Sequence, residues 1–154
     1  MRLTVVVVGK PRNRSLGAAI EEYETRAAHY WPLEVCEVKE EPARGLSEAI
    51  VKDREGERLL ARIPAGARLL ACDATGERRT SEEFASWLGE ARDAGRNVAF
   101  AVGGAFGLSP AVLAASTSRL ALAPWTLPHE VARLVLAEQL YRAGTILRRE
   151  PYHK

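Results

Sequence analysis

Two segments rich in glycine and proline carry the residue types that suggest chemistry. The first is the apolar run 98–102, which is followed by Gly103, Gly104 and Gly107. Glycines in such a place let the backbone approach a ligand closely and leave main-chain amides free to bind it. Their spacing differs from the dinucleotide-binding fingerprint, and no Gly-Lys-Ser/Thr phosphate loop follows. The pattern therefore fits either a tight turn or a ligand-binding loop.

The second segment is 122–129, which contains Pro124 and Pro128 and almost no polar side chain apart from Thr126. Two prolines so close together exclude an ordinary strand or helix. Main-chain carbonyls and amides in apolar surroundings suit a flat heteroaromatic ligand such as adenine, whereas the alternative is a connecting loop with Trp125 packed in the core. Ligands of open α/β sheets bind in loops at the carboxyl ends of strands, which favours a ligand for both segments.

The helix predicted after this segment supplies titratable side chains. His129 stands at its start, where a neutral imidazole could accept or relay a proton, and a purely structural histidine is the alternative. Glu138 and Arg142 are one helical turn apart and could pair, either at an exposed surface or within a site. The helix is apolar enough to be buried on more than one side, which favours a subunit interface as well as a core face.

The C-terminal tail is basic and aromatic. Residues 119–154 contain six Lys/Arg and three Asp/Glu, so this end supplies much of the net charge of +2. The tail carries Arg148, Arg149, Tyr152, His153 and Lys154. One interpretation is a solvated, frayed end. The other, which the charge balance favours, is a nucleotide clamp in which arginine binds phosphate and tyrosine stacks on a base.

Composition restricts the class of protein. A chain of 154 residues fits one domain, 1–154, with a sizeable core. Its net charge is smaller than that of proteins that bind nucleic acid by charge alone. Cys36 and Cys72 lack metal-ligand spacing and are expected to be buried free thiols of a cytosolic protein, so no metal site is predicted. The N-terminal apolar run 3–8 is too short for a signal peptide or a membrane span.

Hydrophobic patterning predicts strands alternating with helices. Strands are expected at 3–8, 33–38, 68–72, 97–102 and 118–122, and helices at 16–29, 48–62, from 81 or 82 to 94, at 110–115 and at 129–147. Ser15, Ser47 and either Thr80 or Ser81 are the expected helix caps. Residues 73–76 suggest a turn, and the helix 48–62 is expected to point Ile50, Leu59 and Leu60 inward. The alternation predicts an α/β fold with a largely parallel sheet flanked by helices.

These residues together resemble the RlmH family of bacterial ribosomal large-subunit RNA methyltransferases. The resemblance runs over the whole chain and includes Val-Val-Gly-Lys near the start, Glu22-Tyr-Glu-x-Arg26 and Lys52-x-x-Glu-Gly-Glu-Arg58. It is most specific in the C-terminal half, where the matching motifs are Gly103-Gly-x-x-Gly-Leu108, Leu122-x-x-x-Thr-Leu-Pro-His129, Arg133-x-x-x-x-Glu-Gln-x-Tyr-Arg-Ala143 and the terminal Pro-Tyr-His-Lys.

The resemblance implies a SPOUT-type α/β fold whose C-terminal part forms a trefoil knot, a rare exception to the absence of knots in proteins. In that family the knot holds S-adenosylmethionine, and the enzyme is a homodimer with active sites at the subunit interface. The implied reaction is methylation of N3 of pseudouridine 1915 in helix 69 of 23S rRNA, on assembled ribosomes in the cytoplasm. The alternatives are a related knotted tRNA methyltransferase and a non-catalytic, dimeric ribosome-binding assembly factor.

The resemblance also assigns site residues by position. The cofactor positions are Cys72, Gly103, Gly104, Leu122, Ala123, Pro124, Trp125, Thr126 and Leu127. Contacts to the RNA are expected from His129, Arg133, Glu138, Arg148, Arg149 and Lys154. For catalysis, Arg142 is expected to stabilise the anion that develops on the uracil ring, His153 to act as base or positioner, and Tyr152 to orient the base. Three features depart from the family pattern around the cofactor: Cys72, Phe106 and the pair Pro124-Trp125.

Overall fold

The computed structural model describes residues 1–153, and of His153 only the backbone. Its strands are β1 (Leu3–Val8), β2 (Leu33–Val38), β3 (Arg68–Arg78), β4 (Val98–Val102) and β5 (Ser118–Ala121). Its helices are α1 (Arg14–Ala28), α2 (Glu48–Leu60), α3 (Ser81–Asp93), α4 (Pro110–Ala115) and α5 (His129–Leu147), followed by a short 3-10 turn, Pro151–His153. No helix within this described part is both long and apolar enough to cross a membrane.

The five strands form one parallel sheet in the order β2-β1-β4-β3-β5. Alternate residues of β1 point to opposite faces, so that Val5 belongs to one buried cluster and Val6 to the other. Helices α1, α3 and α5 cover the first face, and α2 and α4 cover the second. The predicted α/β fold with a parallel sheet flanked by helices is confirmed.

The connections that follow the neighbouring parallel strands β1 and β4 run in opposite directions across the sheet. The loop after β1 leads to α1 on one face, whereas the loop after β4 leads to α4 on the other. The two loops therefore diverge at the carboxyl edge of the sheet and leave a crevice between them. Such a switch point is where open α/β sheets bind ligands.

Strand β3 is longer than predicted, because it continues through residues 73–76 to Arg78. The local turn signal is real, since Asp73 Oδ1 accepts a hydrogen bond from the Thr75 amide at 2.9 Å. However, β3 keeps pairing with β5, with a register shift between Cys72 and Glu77. A Cβ atom on Gly76 would lie 2.6 Å from the carbonyl carbon of Arg119, so glycine allows this pairing.

The helix caps are partly as predicted. Ser47 and Thr80 cap α2 and α3, but the assignment of Ser15 is wrong. The side chain of Asn13 accepts the Leu16 amide at 3.0 Å and starts α1 at Arg14. The inward position of Ile50 is also wrong: it is 42% exposed, and its neighbour on α2, Val51, takes the buried position.

Helix α5 lies against α1 and α3, and two side chains of the 30–31 region fix its position. The Trp31 indole N–H donates to the Leu140 carbonyl at 2.8 Å. Gly144 lies directly under Tyr30, so that a Cβ atom there would be 2.6 Å from the Tyr30 Cβ. The absence of a side chain at Gly144 therefore sets the distance between α1 and α5.

We expect Gly144→Ala to destabilise the protein by about 1–3 kcal/mol, because the added methyl group must push Tyr30 away from α5. Gly17→Ala is the matched control, since Gly17 also lies in a helix but its added Cβ would meet Pro11 at an ordinary 3.4 Å. That control is expected to be neutral or stabilising by up to about 1 kcal/mol. Urea unfolding at one protein concentration measures both, and equal stability of Gly144→Ala and wild type would contradict the packing described.

Candidate functional site

A cavity of about 230 Å³ lies at the carboxyl edge of the sheet, over the ends of β3, β4 and β5. Both segments singled out from the sequence line it, together with the bulged part of β3. The lining residues are Cys72, Asp73, Ala74, Thr75, Val102, Gly103, Gly104, Gly107, Leu108, Leu122, Ala123, Trp125, Thr126, Leu127, His129 and Ala132. The prediction that the two segments enclose one space is confirmed, although Pro124 is not among the lining residues.

The glycine segment is both a tight turn and a wall of the cavity. Gly107 has a φ angle of 84°, and its amide donates to the Gly104 carbonyl at 3.1 Å. A Cβ atom on Gly103 would lie 2.5 Å from the Gly107 carbonyl carbon and 2.9 Å from the Leu108 amide nitrogen. The chain therefore folds back on itself here in a way that only glycine at position 103 permits, and it lines the cavity with main-chain atoms.

The segment 122–129 leaves its large side chain outside. Trp125 is 78% exposed, so the alternative in which it packs into the core is wrong. Pro128 precedes α5 without a side-chain cap, so the first turn of α5 keeps backbone N–H groups that no capping side chain binds. His129 and Ala132 of this first turn line the cavity, which thereby includes the partly positive end of a helix.

Cys72 stands half-buried in the cavity wall as an apolar group. Burial, with a smaller contribution from Asp73, raises the pKa of its thiol to about 12. The thiol is therefore neutral at physiological pH and does not serve as a nucleophile. Among the described residues no group of three or more His, Cys, Asp or Glu side chains could hold a metal ion.

A buried carboxyl group behind the glycine segment was not predicted. Glu55 of α2 is only 2% exposed, and its Oε1 accepts the Glu41 amide at 3.1 Å. Its Oε2 would lie 2.7 Å from a Cβ atom on Gly104, and it has no hydrogen-bond partner in the described part of the chain. Burial raises the pKa of Glu55. The motif Lys52-x-x-Glu-Gly-Glu-Arg58 contained this residue, but the many charges around it predicted a solvated helix face.

A second polar cluster forms at the far end of α5. Arg142 donates from Nε and Nη2 to Glu138 Oε1 at 2.9 and 2.6 Å, and the Tyr152 hydroxyl donates to the same oxygen at 3.1 Å. The hydrogen bond from Glu138 raises the pKa of Arg142, and burial raises the pKa of Tyr152. The predicted Glu138–Arg142 pair is confirmed. The cluster presents a permanent cation and a neutral phenol.

The tail is held by the four tyrosines of the chain. Tyr141 contacts the other three, with ring centroids 4.5 Å from Tyr152, 5.7 Å from Tyr30 and 6.1 Å from Tyr23. Arg148 places its guanidinium carbon 4.6 Å from the Tyr30 ring centroid.

The Tyr30 hydroxyl also donates to Glu150, which raises the pKa of Tyr30 to about 12. The interpretation of residues 148–152 as a frayed end is therefore wrong. Arg148 and Arg149 are exposed, as a surface contact requires. The side chain of His153 and the whole of Lys154 lie outside the described residues.

Arg133 is not a surface contact, which corrects the prediction that it faces RNA. Its side chain is 8% exposed and donates to Glu24 at 2.7 Å and to Glu37 at 2.8 Å. Burial opposes its charge, but these two carboxylates outweigh that effect and raise the pKa of Arg133. The residue joins α5 to α1 and β2 inside the protein. Its place in a polar helical motif gave no sign of burial.

The cavity and the Glu138–Arg142–Tyr152 cluster lie at separate places along α5. Ala132 lines the cavity, whereas Arg142 stands ten residues further along the same helix. At 1.5 Å per residue this separates them by about 15 Å along the helix axis. The Glu138–Arg142–Tyr152 cluster of one chain therefore does not line its own cavity.

The sequence over residues 1–153 matches the family model described as "Predicted SPOUT methyltransferase". The chain belongs to this SPOUT methyltransferase family.

Relatives named "Ribosomal RNA large subunit methyltransferase H" match over the full length of both chains. One from Gemmatimonas aurantiaca is 62% identical, one from Anaeromyxobacter sp. (strain Fw109-5) is 47% identical, and one from Listeria monocytogenes is 44% identical. The resemblance to the RlmH family is thereby confirmed.

Among solved structures, the SpoU methyltransferase AviRb from Streptomyces viridochromogenes, in complex with AdoMet, has a TM-score of 0.49 at 18% identity. That match covers 97% of this chain but only 59% of the AviRb chain.

Replacing Glu55 by glutamine should change how stability depends on pH. Because the folded state raises the pKa of Glu55, wild type loses stability as pH rises from the ordinary carboxyl pKa through the raised one. Glutamine does not titrate, so the variant has no such loss. We therefore expect the free energy of unfolding of Glu55→Gln, relative to wild type, to increase as pH rises above the ordinary range of a carboxyl group. Glu57→Gln removes an exposed carboxylate from the same helix as a control. Parallel pH profiles for the two variants would contradict the burial of Glu55.

Proposed function

We propose that the chain is an S-adenosylmethionine-dependent methyltransferase that methylates N3 of pseudouridine 1915 in helix 69 of 23S rRNA, on assembled ribosomes in the cytoplasm. The observation that carries this proposal is the cavity lined by main-chain atoms at the carboxyl edge of the sheet, in a chain that matches ribosomal RNA large subunit methyltransferases from end to end. The C-terminal knot stays part of this proposal, as does the assignment of 1–154 to one domain.

The lining of the cavity fits S-adenosylmethionine. Gly103 leaves open the room that a Cβ atom would fill, and the walls are apolar, as a nucleoside and a thioether chain require. Main-chain groups of 103–104 and 122–127 would bind the adenosine, with Cys72 as an apolar wall. When bound, the cofactor supplies a methyl group already activated by its sulfonium, so the reaction needs no metal.

The residues of this chain must then remove the N3 proton of the base and stabilise the negative charge that develops on its ring. Methylation at N3 of the uracil ring requires the N3 proton to leave, and negative charge develops on the ring carbonyls. Arg142, held as a cation by Glu138, is the proposed stabiliser of that charge, and the Tyr152 hydroxyl is proposed to orient the ring. His153 is the proposed base or positioner. RNA contacts are proposed for His129, Glu138, Arg148, Arg149 and Lys154.

The distance of about 15 Å between the cavity and Arg142 along α5 calls for a second chain. In a homodimer with two-fold symmetry, the polar cluster of one chain can complete the cavity of the other. Helix α5 supports this arrangement, because its partly exposed residues include Val131, Leu134 and Val135. We therefore propose a homodimer whose active sites lie at the subunit interface.

Incubation of ribosomes with methyl-labelled S-adenosylmethionine tests the reaction. We expect one label on N3 of a pseudouridine of 23S rRNA, and far less transfer to naked rRNA, because the assembled site supplies the shape that the small charge of the protein does not. Label in tRNA would favour the knotted tRNA methyltransferase. Absence of transfer to any RNA, with no binding of S-adenosylmethionine in calorimetry, would contradict the proposal and favour a ribosome-binding assembly factor.

Replacing the proposed stabiliser of charge should slow the transfer step. We expect Arg142→Ala to lower kcat by about 100-fold or more, the usual loss when a group stabilising a developing anion is removed. Arg92→Ala, in the last turn of α3 and outside the cavity lining, is the control and should retain wild-type kcat. A similar kcat for wild type and folded Arg142→Ala would remove Arg142 from the mechanism.

A mixing experiment tests the shared site. Cys72→Trp should fill the cavity and abolish cofactor binding, whereas Cys72→Leu, a smaller change, should keep it. If each site uses two chains, mixing inactive Cys72→Trp with inactive Arg142→Ala restores about a quarter of wild-type activity, because half of randomly paired dimers hold one intact site. No recovery, with mixed dimers verified by mass spectrometry, would place the whole site within one chain.

A further inference from the structure

Two further depressions follow the cavity along the carboxyl edge of the sheet. A small depression next to it shares Val102, Gly103 and His129 with the cavity. A third, more open depression of about 530 Å³ shares Gly9, Lys10 and Pro11 with the second. The three openings are therefore adjacent, and we call the outermost one, lined by residues 9–12 and 37–40, the basic groove.

The strand order explains the course of the basic groove. β1 and β2 follow β4 in the sheet, so their carboxyl ends lie next to the glycine segment. Val8 pairs with Val38 in register, which brings Lys10 and Lys39 to the same edge just beyond the paired residues. At about 4.8 Å between strands, the end of β2 lies about 10 Å from the end of β4. That distance is within reach of the nucleotides next to a base in the cavity.

The charges along the basic groove leave two cations unpaired. The carboxylates that line it are engaged within the protein: Glu37 binds Arg133, and Glu40 binds Arg12. Glu130, in the adjoining depression, accepts the Arg12 amide. Lys10 and Lys39 are exposed and form no ion pair with any carboxylate among the described residues.

The backbone under both lysines is fixed. Gly9 has a φ angle of 74°, and its amide donates to the Val38 carbonyl at 2.8 Å, so the loop after β1 is tied to the end of β2. The Lys39 carbonyl accepts a hydrogen bond from Arg58 at 2.8 Å. Two unpaired ammonium groups on a fixed backbone suit a ligand whose negative charges repeat along a chain, such as a phosphate backbone.

We propose that the basic groove binds the RNA backbone next to the nucleotide whose base enters the cavity, with Lys10 and Lys39 each contacting a phosphate. This inference rests on the proposed function, because it takes the RNA as the substrate of the same site. The occupant is RNA and not an acidic protein segment, since only the small depression lined by Gly103 and Lys10 separates the groove from the cavity where the base must arrive. The basic loop that follows β1 thereby has a role that its sequence alone did not reveal.

The test removes both charges without touching the cavity. Lys10→Gln/Lys39→Gln is compared with Arg92→Gln/Arg96→Gln, which removes two exposed cations from the opposite, amino-terminal edge of the sheet. Binding to purified large ribosomal subunits is measured by filter retention over a range of salt concentrations. Calorimetry with S-adenosylmethionine checks that neither double variant alters cofactor binding.

The lysine variant should bind the subunits about tenfold more weakly, with KM rising more than kcat falls. The slope of log affinity against log salt concentration should become shallower by about 1.4 to 1.8, as expected when two phosphate contacts are lost. The arginine variant should match wild type in both. If both double variants weakened binding to the subunits equally, or if the lysine variant did not weaken it, the proposal that the groove binds RNA would be overturned.

The proposed function is judged by another measurement, the transfer of label by wild type. If wild type binds the subunits but transfers no methyl group, the proposed function is refuted. The proposal for the groove is then still tested by comparing how tightly the two double variants bind the subunits. Stronger competition by an acidic peptide than by an RNA oligonucleotide would assign the groove to a protein partner and overturn the proposal. Wild type that fails to bind the subunits at all would also overturn it.

Discussion

The cavity depends on two places where one stretch of main chain approaches another too closely for any side chain. Gly76 lets the bulged end of β3 remain paired with β5, and Gly103 lets the chain fold back onto Gly107 and Leu108. The bulged part of β3 and the glycine segment each line the cavity, and the segment 122–129 adds a third wall. Since the walls are largely main chain and small apolar groups, the cavity can hold a ligand by shape and backbone hydrogen bonds with few charged groups.

Helix α5 joins this cavity to the chemistry proposed for the protein. Its first turn lines the cavity, and its second turn is fixed by the buried ion pairs of Arg133. The following turns carry the Glu138–Arg142 pair and the ring of Tyr141 that holds the tail. The cavity wall and the proposed charge-stabilising group are thus separated by about 15 Å along one rigid element. This separation within one chain is the reason for proposing a homodimer whose active sites use residues of both chains.

Sequence patterns over short stretches predicted those features that interactions between residues close in sequence determine. The strand and helix order, the caps Ser47 and Thr80 and the two ligand segments followed from periodicity, capping chemistry and glycine content. The extension of β3 did not, because Asp73 and Thr75 form a genuine local turn that non-local pairing with β5 overrides. Buried Glu55 and Arg133 were missed for a related reason, since their partners lie in distant parts of the chain. The residue roles came from family resemblance, and no periodicity predicts a knot.

The central claim is that the main-chain cavity is a cofactor site, and calorimetric titration of the purified protein with S-adenosylmethionine tests it most directly. The account predicts saturable binding of one cofactor per chain, which is lost when the cavity is filled. It also predicts competition by S-adenosylhomocysteine, which has the same adenosine and lacks only the transferred methyl group. Absence of binding by a folded protein, or binding that persists unchanged with the cavity filled, would contradict it.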